Sequence, residues 1–321
     1  MHRFSPKTIR LATLALVFLL CAGLLCQFPA AAQEQDDSAI KVNVNLVLVD
    51  ATVKTKTGQI MEELKKDDFE LREDGQAQKI SFFGRDELPL NIALVLDLSD
   101  SIAPFFEPVR DAAVGTLATL KPEDRVALFT FATEAELRVP LTQDKDRLIG
   151  AFKSFQAGGL TNINDGIFVA AKYFLTTAPK GRRVIILISD DVGTDAGGQS
   201  TADIITEATA ADASLYNLRI PGDNPRATLL FASGVPGLVN IRKVADATGG
   251  EIFDVPSANS LEGAFRALLT RIKTRYTLGY YTSANGALGK PHKLDVRLAP
   301  SFGKKDRDYA ILAKNGFYFV P

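Results

Sequence analysis

Apolar and polar positions follow two different grammars along this chain. From Val42 to Val53 the sequence VNVNLVLVDATV begins in strict apolar–polar alternation and is rich in β-branched residues, which predicts a strand. Thr57-Gly58-Gln59 marks a turn. Phe69 to Arg72, the turn Glu73-Asp74-Gly75-Gln76 and Ile80 to Phe83 then predict a hairpin, with Asp-Gly as its turn signal. No useful helical period occurs between residues 40 and 86. From Leu90 the grammar changes. Ile92 to Leu96 is an uninterrupted apolar run, the pattern of a strand buried on both faces, and Arg183 to Ser189 repeats it. Strands are also predicted at Arg125–Phe131, Ala135–Leu141 (an edge strand), Ser214–Ile220 and Gly250–Asp254. Helical spacing of apolar residues predicts helices over Pro104–Leu120, from Asp144 as cap through Phe155, from about Asn164 through Leu175, and over Thr201–Ala211, Leu238–Thr248 and Leu261–Lys273.

This alternation predicts an α/β fold: a doubly wound, mostly parallel sheet with helices on both faces. After Tyr276 the β grammar returns in YTLGYYT, KLDVRLA and GFYFV. The two β flanks, 40–86 and 276–321, are each too short for a good core of their own. They are therefore expected to pair into one small β-sandwich-like domain, with the α/β domain at 88–275 inserted between them.

Composition leaves this picture intact and narrows the chemistry. The 321 residues are 46% hydrophobic and 23% charged, ample for a core and for two domains. Residues 1–32 read as a secretory signal peptide: Arg3, Lys7 and Arg10 precede the apolar stretch Leu11–Leu25, and Ala30-Ala31-Ala32 offers a cleavage site. Residues 33–39, QEQDDSA, read as a disordered linker. Without the signal, both cysteines are gone and His292 is the only histidine. Basic residues fall from 37 to 34 against 38 acids, a net charge of -4. Disulfides, thiol nucleophiles and Cys- or multi-His zinc sites are thereby excluded. No charge excess points to nucleic acid or to an anionic membrane surface. His292, in GKPHKLDVRL at a strand start, reads as a surface residue and not as a catalytic one.

What remains is oxygen chemistry. The apolar run IALVL ends in Asp97, Ser99 and Ser101, where open parallel sheets place their ligand sites. An ordinary turn or helix cap would use the same residue types. Two other segments change the balance: Thr161 in the Gly-rich loop GGLTNIN, and Asp190 at the end of RVIILISD. If the two apolar strands are neighbours, about 4.8 Å apart, both carboxylates reach one edge together with three hydroxyls. Like charges repel in such an arrangement unless a cation joins them. Oxygen-only donors suit Mg²⁺, Mn²⁺ or Ca²⁺. Asn162, Asn164 and Asp165 fit either support of the ligands or helix capping. Asp100 is expected to face solvent, and Asp195 to be a loop residue. Leu229, Leu230 and Phe231, within the loop 221–237, offer either an apolar patch beside the cation or a short buried helix.

The order DxSxS, loop threonine, strand-terminal aspartate resembles the von Willebrand factor A domain and its metal-ion-dependent adhesion site. The resemblance spans about residues 88–275, and the flanks resemble the bacterial proteins called VWFA-related. It implies that Ser99 and Ser101 coordinate the cation directly, that Thr161 does so or yields to water, and that Asp97 and Asp190 act directly or through waters. A partner's carboxylate would complete the shell. Two positions depart from the usual pattern: Leu160 separates the Gly pair from Thr161, and Asp191 follows Asp190 where glycine is usual. The added carboxylate would either strengthen cation binding or compete with an incoming acidic ligand. The expected role is a secreted or periplasmic, non-enzymatic protein-binding module, without nucleic acid and without stable membrane insertion after signal cleavage. The alternatives are an Mg²⁺-dependent phosphoryl-transfer enzyme, and a structural domain whose metal only stabilises it.

Overall fold

The computed structural model describes residues 46–85, 88–179, 181–193, 198–221, 238–282, 291–303, 308–313 and 316–319. The signal and linker expected at 1–39 lie outside them, as do Asp195 and Leu229-Leu230-Phe231. The chain opens with β1 (Leu46–Thr55), β2 (Phe69–Glu73), β3 (Gln76–Gln78) and β4 (Ile80–Arg85). Next come β5 (Leu90–Asp97), α1 (Phe106–Leu117), β6 (Arg125–Phe131), β7 (Ala135–Thr142), α2 (Lys145–Phe152) and α3 (Ile163–Thr177). The series continues through β8 (Arg182–Ser189), α4 (Thr201–Ala210), β9 (Ala213–Arg219), α5 (Ile241–Thr248), β10 (Ile252–Asp254) and α6 (Leu261–Lys273). It closes with β11 (Tyr276–Tyr281), β12 (Pro291–Leu298), β13 (Tyr309–Ala313) and β14 (Gly316–Phe319).

The central sheet has the order β10-β9-β8-β5-β6-β7. Every neighbour pair is parallel except β6–β7, and β7, last in the order, is an edge strand. Side chains on a strand alternate between faces, so a strand covered on both sides must be apolar throughout. In β5, Ile92, Leu94 and Leu96 join Val109, Leu117, Phe152, Phe265 and Leu268 of α1, α2 and α6. Ala93 and Val95 join Ile167, Phe174, Ile204 and Val244 of α3, α4 and α5 on the other face. The fold is therefore the doubly wound α/β sheet that the apolar runs predict.

Strands of both flanks mix in two further four-stranded sheets, β13-β1-β11-β4 and β14-β12-β2-β3. β1 pairs antiparallel with β11, and β2 with β12. A core of Val49, Val53, Phe69, Leu71, Tyr276, Leu278 and Leu294 is shared between these sheets, giving the small additional β domain. Several local expectations need correction. The hairpin partner of β2 is β3, formed by Gln76–Gln78, whereas Ile80–Arg85 crosses to the other sheet and pairs with β11. Helix α1 starts two residues later than expected: Asp100–Phe105 is a 3₁₀ segment containing Pro104, which has no N–H to donate. Leu238–Asn240 precede α5 because the Asn240 side chain caps it, accepting from Lys243 N at 2.9 Å. Strand β13, YAILA, has no clear alternation and escaped the pattern.

The β domain joins the central sheet at the amino-terminal ends of β8 and β9. Arg182, 5% exposed, lies with Nε 2.8 Å from Asp50 Oδ2 of β1, an ion pair whose angle falls outside hydrogen-bond geometry. It also donates to Ile272 O at 2.7 Å and to Thr277 Oγ1 at 2.8 Å. Arg275, 1% exposed, follows α6 and donates to Tyr216 Oη at 2.7 Å and Asp50 O at 3.0 Å. Removing one member of a buried pair strands the other charge. Arg182→Ala is thus expected to cost about 3 kcal/mol in chemical denaturation. Arg266→Ala, which breaks an exposed helical pair with Glu262, should cost less than about 0.5 kcal/mol in the same measurement.

Candidate metal centre

The site is built by strand register. β5 and β8 pair with Leu96 opposite Ile188, so Asp97 and Ser189 end up side by side at the carboxyl ends. The Ser189 hydroxyl donates to Asp97 Oδ2 at 2.8 Å. Ser99 N donates to Asp97 Oδ1, also at 2.8 Å, which folds the DxSxS turn over its own aspartate. Ser99 Oγ and Ser101 Oγ lie 3.1 Å apart. Asp190, the residue after Ser189, accepts from Val192 N at 3.0 Å through Oδ1, while its buried Oδ2 has no hydrogen-bond partner.

The Thr161 loop is tied to the same turn. Gly158 N donates to Leu98 O at 2.6 Å, and Asn162 N to Ala132 O at 2.8 Å. Gly159 sits at φ +102°, and a Cβ there would meet Thr133 Oγ1 at 3.3 Å, so the chain both bends left-handed and passes close. Leu160 turns outward, 52% exposed, so the extra residue between the Gly pair and Thr161 is taken up at the surface. On its other side, a Cβ on Gly193 would lie 3.7 Å from Thr161 O, which places the segment after Asp190 against the threonine loop. Asp97, Ser99, Thr161 and Asp190 are all buried and Ser101 partly so. The three loops that carry the expected residues therefore converge on one edge of the sheet.

Residues 92–193, which hold all three loops, match the von Willebrand factor type A domain family. The chain carries a von Willebrand factor type A domain. Among solved structures, it is similar to a von Willebrand factor type A protein from Catenulispora acidiphila, with 14% identity and a TM-score of 0.48 over 81% of this chain and 74% of that one. An aerotolerance-related membrane protein from Bacteroides fragilis NCTC 9343 is similar at 16% identity and a TM-score of 0.43, covering 57% and 99%. The pilus adhesin SpaC from Lactobacillus rhamnosus GG, in its open conformation, is similar at 12% identity and a TM-score of 0.44, covering 79% and 48%. Likeness at this level says nothing of role. No curated protein matches the chain by sequence.

Within this A domain, burial dominates the electrostatics. Burial pushes the Asp97 carboxyl up from 3.8 to about 6, against the opposing bonds from Ser99 and Ser189 and with a further push from the Asp190 charge. Burial also raises Asp190, opposed by the Val192 amide and by the nearby Ser101 hydroxyl. Two carboxyls that resist ionisation, one with an unpartnered oxygen, beside neutral hydroxyls make a donor set that fits a hard divalent cation. Among the described residues no group of three or more His, Cys, Asp or Glu side chains is arranged to hold a metal. The donor set is therefore hydroxyl-rich and not carboxylate-rich.

The neighbours separate into roles. Asn162 caps α3 by accepting from Asp165 N at 3.1 Å. Asn164 bridges two loops, donating to Gln199 O at 2.6 Å and accepting from Val239 N at 3.1 Å. Asp165 accepts from Ala135 N at 2.9 Å. All three hold backbone, and Asp100 is exposed. His292 lies in the β domain, where Nδ1 is 2.8 Å from Asp74 Oδ2, and its side chain is only 13% exposed. It is more enclosed than the surface position expected. Asp191 turns away from the serines to Asn217, whose Nδ2 donates to Asp191 Oδ1 at 2.6 Å. Ser189 and Asn217 are participants that the sequence pattern did not single out. Ser189 sits next to Asp190 in a strand and could have been found from that adjacency; Asn217 carried no signal.

A carboxyl with a higher pKa in the folded than in the unfolded chain binds its proton more tightly when folded. Its contribution to stability is therefore lost as pH rises from about 4 through about 6. For Asp97 this amounts to something on the order of 3 kcal/mol by neutral pH. In EDTA, the stability of the wild type relative to Asp97→Asn should fall by about that amount between pH 4 and pH 7. Added Mg²⁺ should raise the wild-type melting temperature more at pH 7 than at pH 5, as read by thermal unfolding.

Proposed function

We propose that the protein is an exported, cation-dependent protein-binding module of the adhesion or scaffold kind. Asp97, Ser99, Ser101, Thr161 and Asp190 would hold a divalent cation, Mg²⁺ or else Mn²⁺ or Ca²⁺, and a protein partner would complete its shell with a carboxylate. The observation that carries this reading is the buried Asp190 Oδ2, left without a hydrogen bond at an edge where Ser99 and Ser101 bring their hydroxyls together. Asn91 Oδ1 and Asn217 Oδ1 are likewise buried without a hydrogen bond, but of these only Asp190 Oδ2 belongs to a carboxyl beside a second buried carboxyl and two hydroxyls, a setting that suits a partner of positive charge. When bound, the cation would supply the field that draws in the partner's carboxylate.

The residues of the chain divide the task. The Ser99 amide and the Ser189 hydroxyl hold Asp97 in one orientation. The Gly158–Leu98 bond keeps the threonine loop at the edge. Beside Leu98, an open groove of about 290 Å³ lined by Thr130, Thr133, Glu134 and Arg138 gives a partner room to lie next to the site. Domains of this family are in general interaction modules without catalysis. Phosphoryl transfer is the less favoured reading: Asp97 is fully buried with both carboxylate oxygens engaged as acceptors, so neither is presented for nucleophilic attack. Export rests on the signal pattern of residues 1–32. No helix among the described residues is long and apolar enough to cross a membrane.

Affinity capture from cell-surface and secreted material, with and without EDTA, tests the proposal. The wild type should retain a partner that EDTA releases, and Asp97→Ala and Ser99→Ala should retain none. Equal capture by Ser99→Ala and wild type, with unchanged Mg²⁺ affinity, would refute it. Mg²⁺-dependent hydrolysis of a phosphate ester that Asp97→Asn abolishes would favour the enzyme instead.

A further inference from the structure

We infer that Asp191 is a positioning residue for the candidate cation site: clamped at the sheet edge by Asn217 and Arg219, it holds the turn that aims Asp190. This deepens the cation-binding reading above and rests on it. Asp191 has φ +65°, a left-handed conformation that glycine adopts freely and that, among L residues, Asn and Asp enter when their side chains bond locally. Something must hold the chain there, and the side chain supplies it. Asp191 Oδ1 accepts from Asn217 Nδ2 at 2.6 Å, and Oδ2 lies 3.9 Å from Arg219 Nη1. Arg219 is in turn fixed to β10 by donating from Nε to Asp254 Oδ1 at 2.6 Å. The clamp therefore draws on two strands at the edge of the sheet.

The backbone of the same residue faces the site. Asp191 N donates to Ser189 Oγ at 3.1 Å, and that hydroxyl donates its own proton to Asp97 Oδ2. A hydroxyl has one proton and two lone pairs, so accepting from Asp191 leaves the proton free to point at Asp97. The left-handed turn at Asp191 thus links the two carboxylate-bearing loops. It also leaves Asp190 with one oxygen on Val192 N and the other unpartnered. With Oδ1 committed to Asn217, the Asp191 carboxylate neither joins the donor set nor competes with an incoming acid.

Glycine and asparagine substitutions separate the clamp from charge and from strain. Asp191→Gly removes the strain together with the clamp. Asp191→Asn keeps an oxygen to accept from Asn217 and removes the charge together with the 3.9 Å ion pair to Arg219. Mg²⁺ titration calorimetry on the purified protein, with Asp97→Ala as the non-binding control, is paired with thermal unfolding in EDTA. Asp191→Gly should bind Mg²⁺ about tenfold more weakly, with an unchanged or higher melting temperature in EDTA. Asp191→Asn should stay near wild type in affinity. Wild-type affinity in Asp191→Gly would overturn the inference. So would an equal loss in Asp191→Asn, which would assign the effect to charge, or a fall in the Asp191→Gly melting temperature, which would assign a structural role. A wild type that binds no Mg²⁺, Mn²⁺ or Ca²⁺ would overturn both this inference and the proposed function.

Discussion

The pairing of β5 with β8 is the constraint on which the rest of the molecule depends. These strands lie at the centre of the sheet and are apolar on both faces, so neither can slip by one residue without turning its side chains into the wrong helix layer. That register brings Ser189 level with Asp97 and sets Asp190 one step beyond. A packing requirement along the length of two strands thereby decides the position of two carboxylates at their ends. The flanking turns then need only short ties, Ser99 N to Asp97 and Gly158 N to Leu98, to gather the hydroxyl-bearing loops around them.

Burial and charge oppose each other at this edge. The same enclosure that orders Asp97 and Asp190 raises the energy of their ionised forms. At the other end of β8 the sheet handles charge differently. Arg182 and Arg275 are almost fully enclosed, and their terminal guanidinium nitrogens donate to groups of β1, β9, α6 and β11, while the Nε of each makes no hydrogen bond. One end sets buried cations against Asp50 and neutral acceptors at the junction with the β domain, and the other gathers two buried carboxyls beside hydroxyls.

Much of this was legible in the chain itself. The apolar runs of β5 and β8 declare buried parallel strands, and the amphipathic spacing of α6 was readable to the residue, Leu261 through Lys273. Asp97, Ser99, Ser101, Thr161 and Asp190 could be selected because oxygen-bearing side chains at strand ends and in a Gly-rich loop are a local pattern. Other features were less visible. Gln76–Gln78 pairs as β3 although its polar residues give no strand signal, because the Asp74-Gly75 turn, with both residues at positive φ, returns the chain against β2. Strand β13 is specified by pairing with β1 and not by its own alternation.

The amino-acid sequence by itself determined most of the elements and the class of the fold. Local periodicity and residue type act over a few positions and can be read there. Only the tertiary structure decided which oxygens are satisfied and which are not. Ser189 reaches Asp97 across 92 positions of the chain, and Asn217 reaches Asp191 across 26. Such contacts depend on strand order and on the level at which strands end. Asp191 illustrates the division. From the sequence it was an additional carboxylate of uncertain direction. The fold turns it toward β9, because the left-handed turn after Asp190 points its side chain at Asn217 and its amide at Ser189.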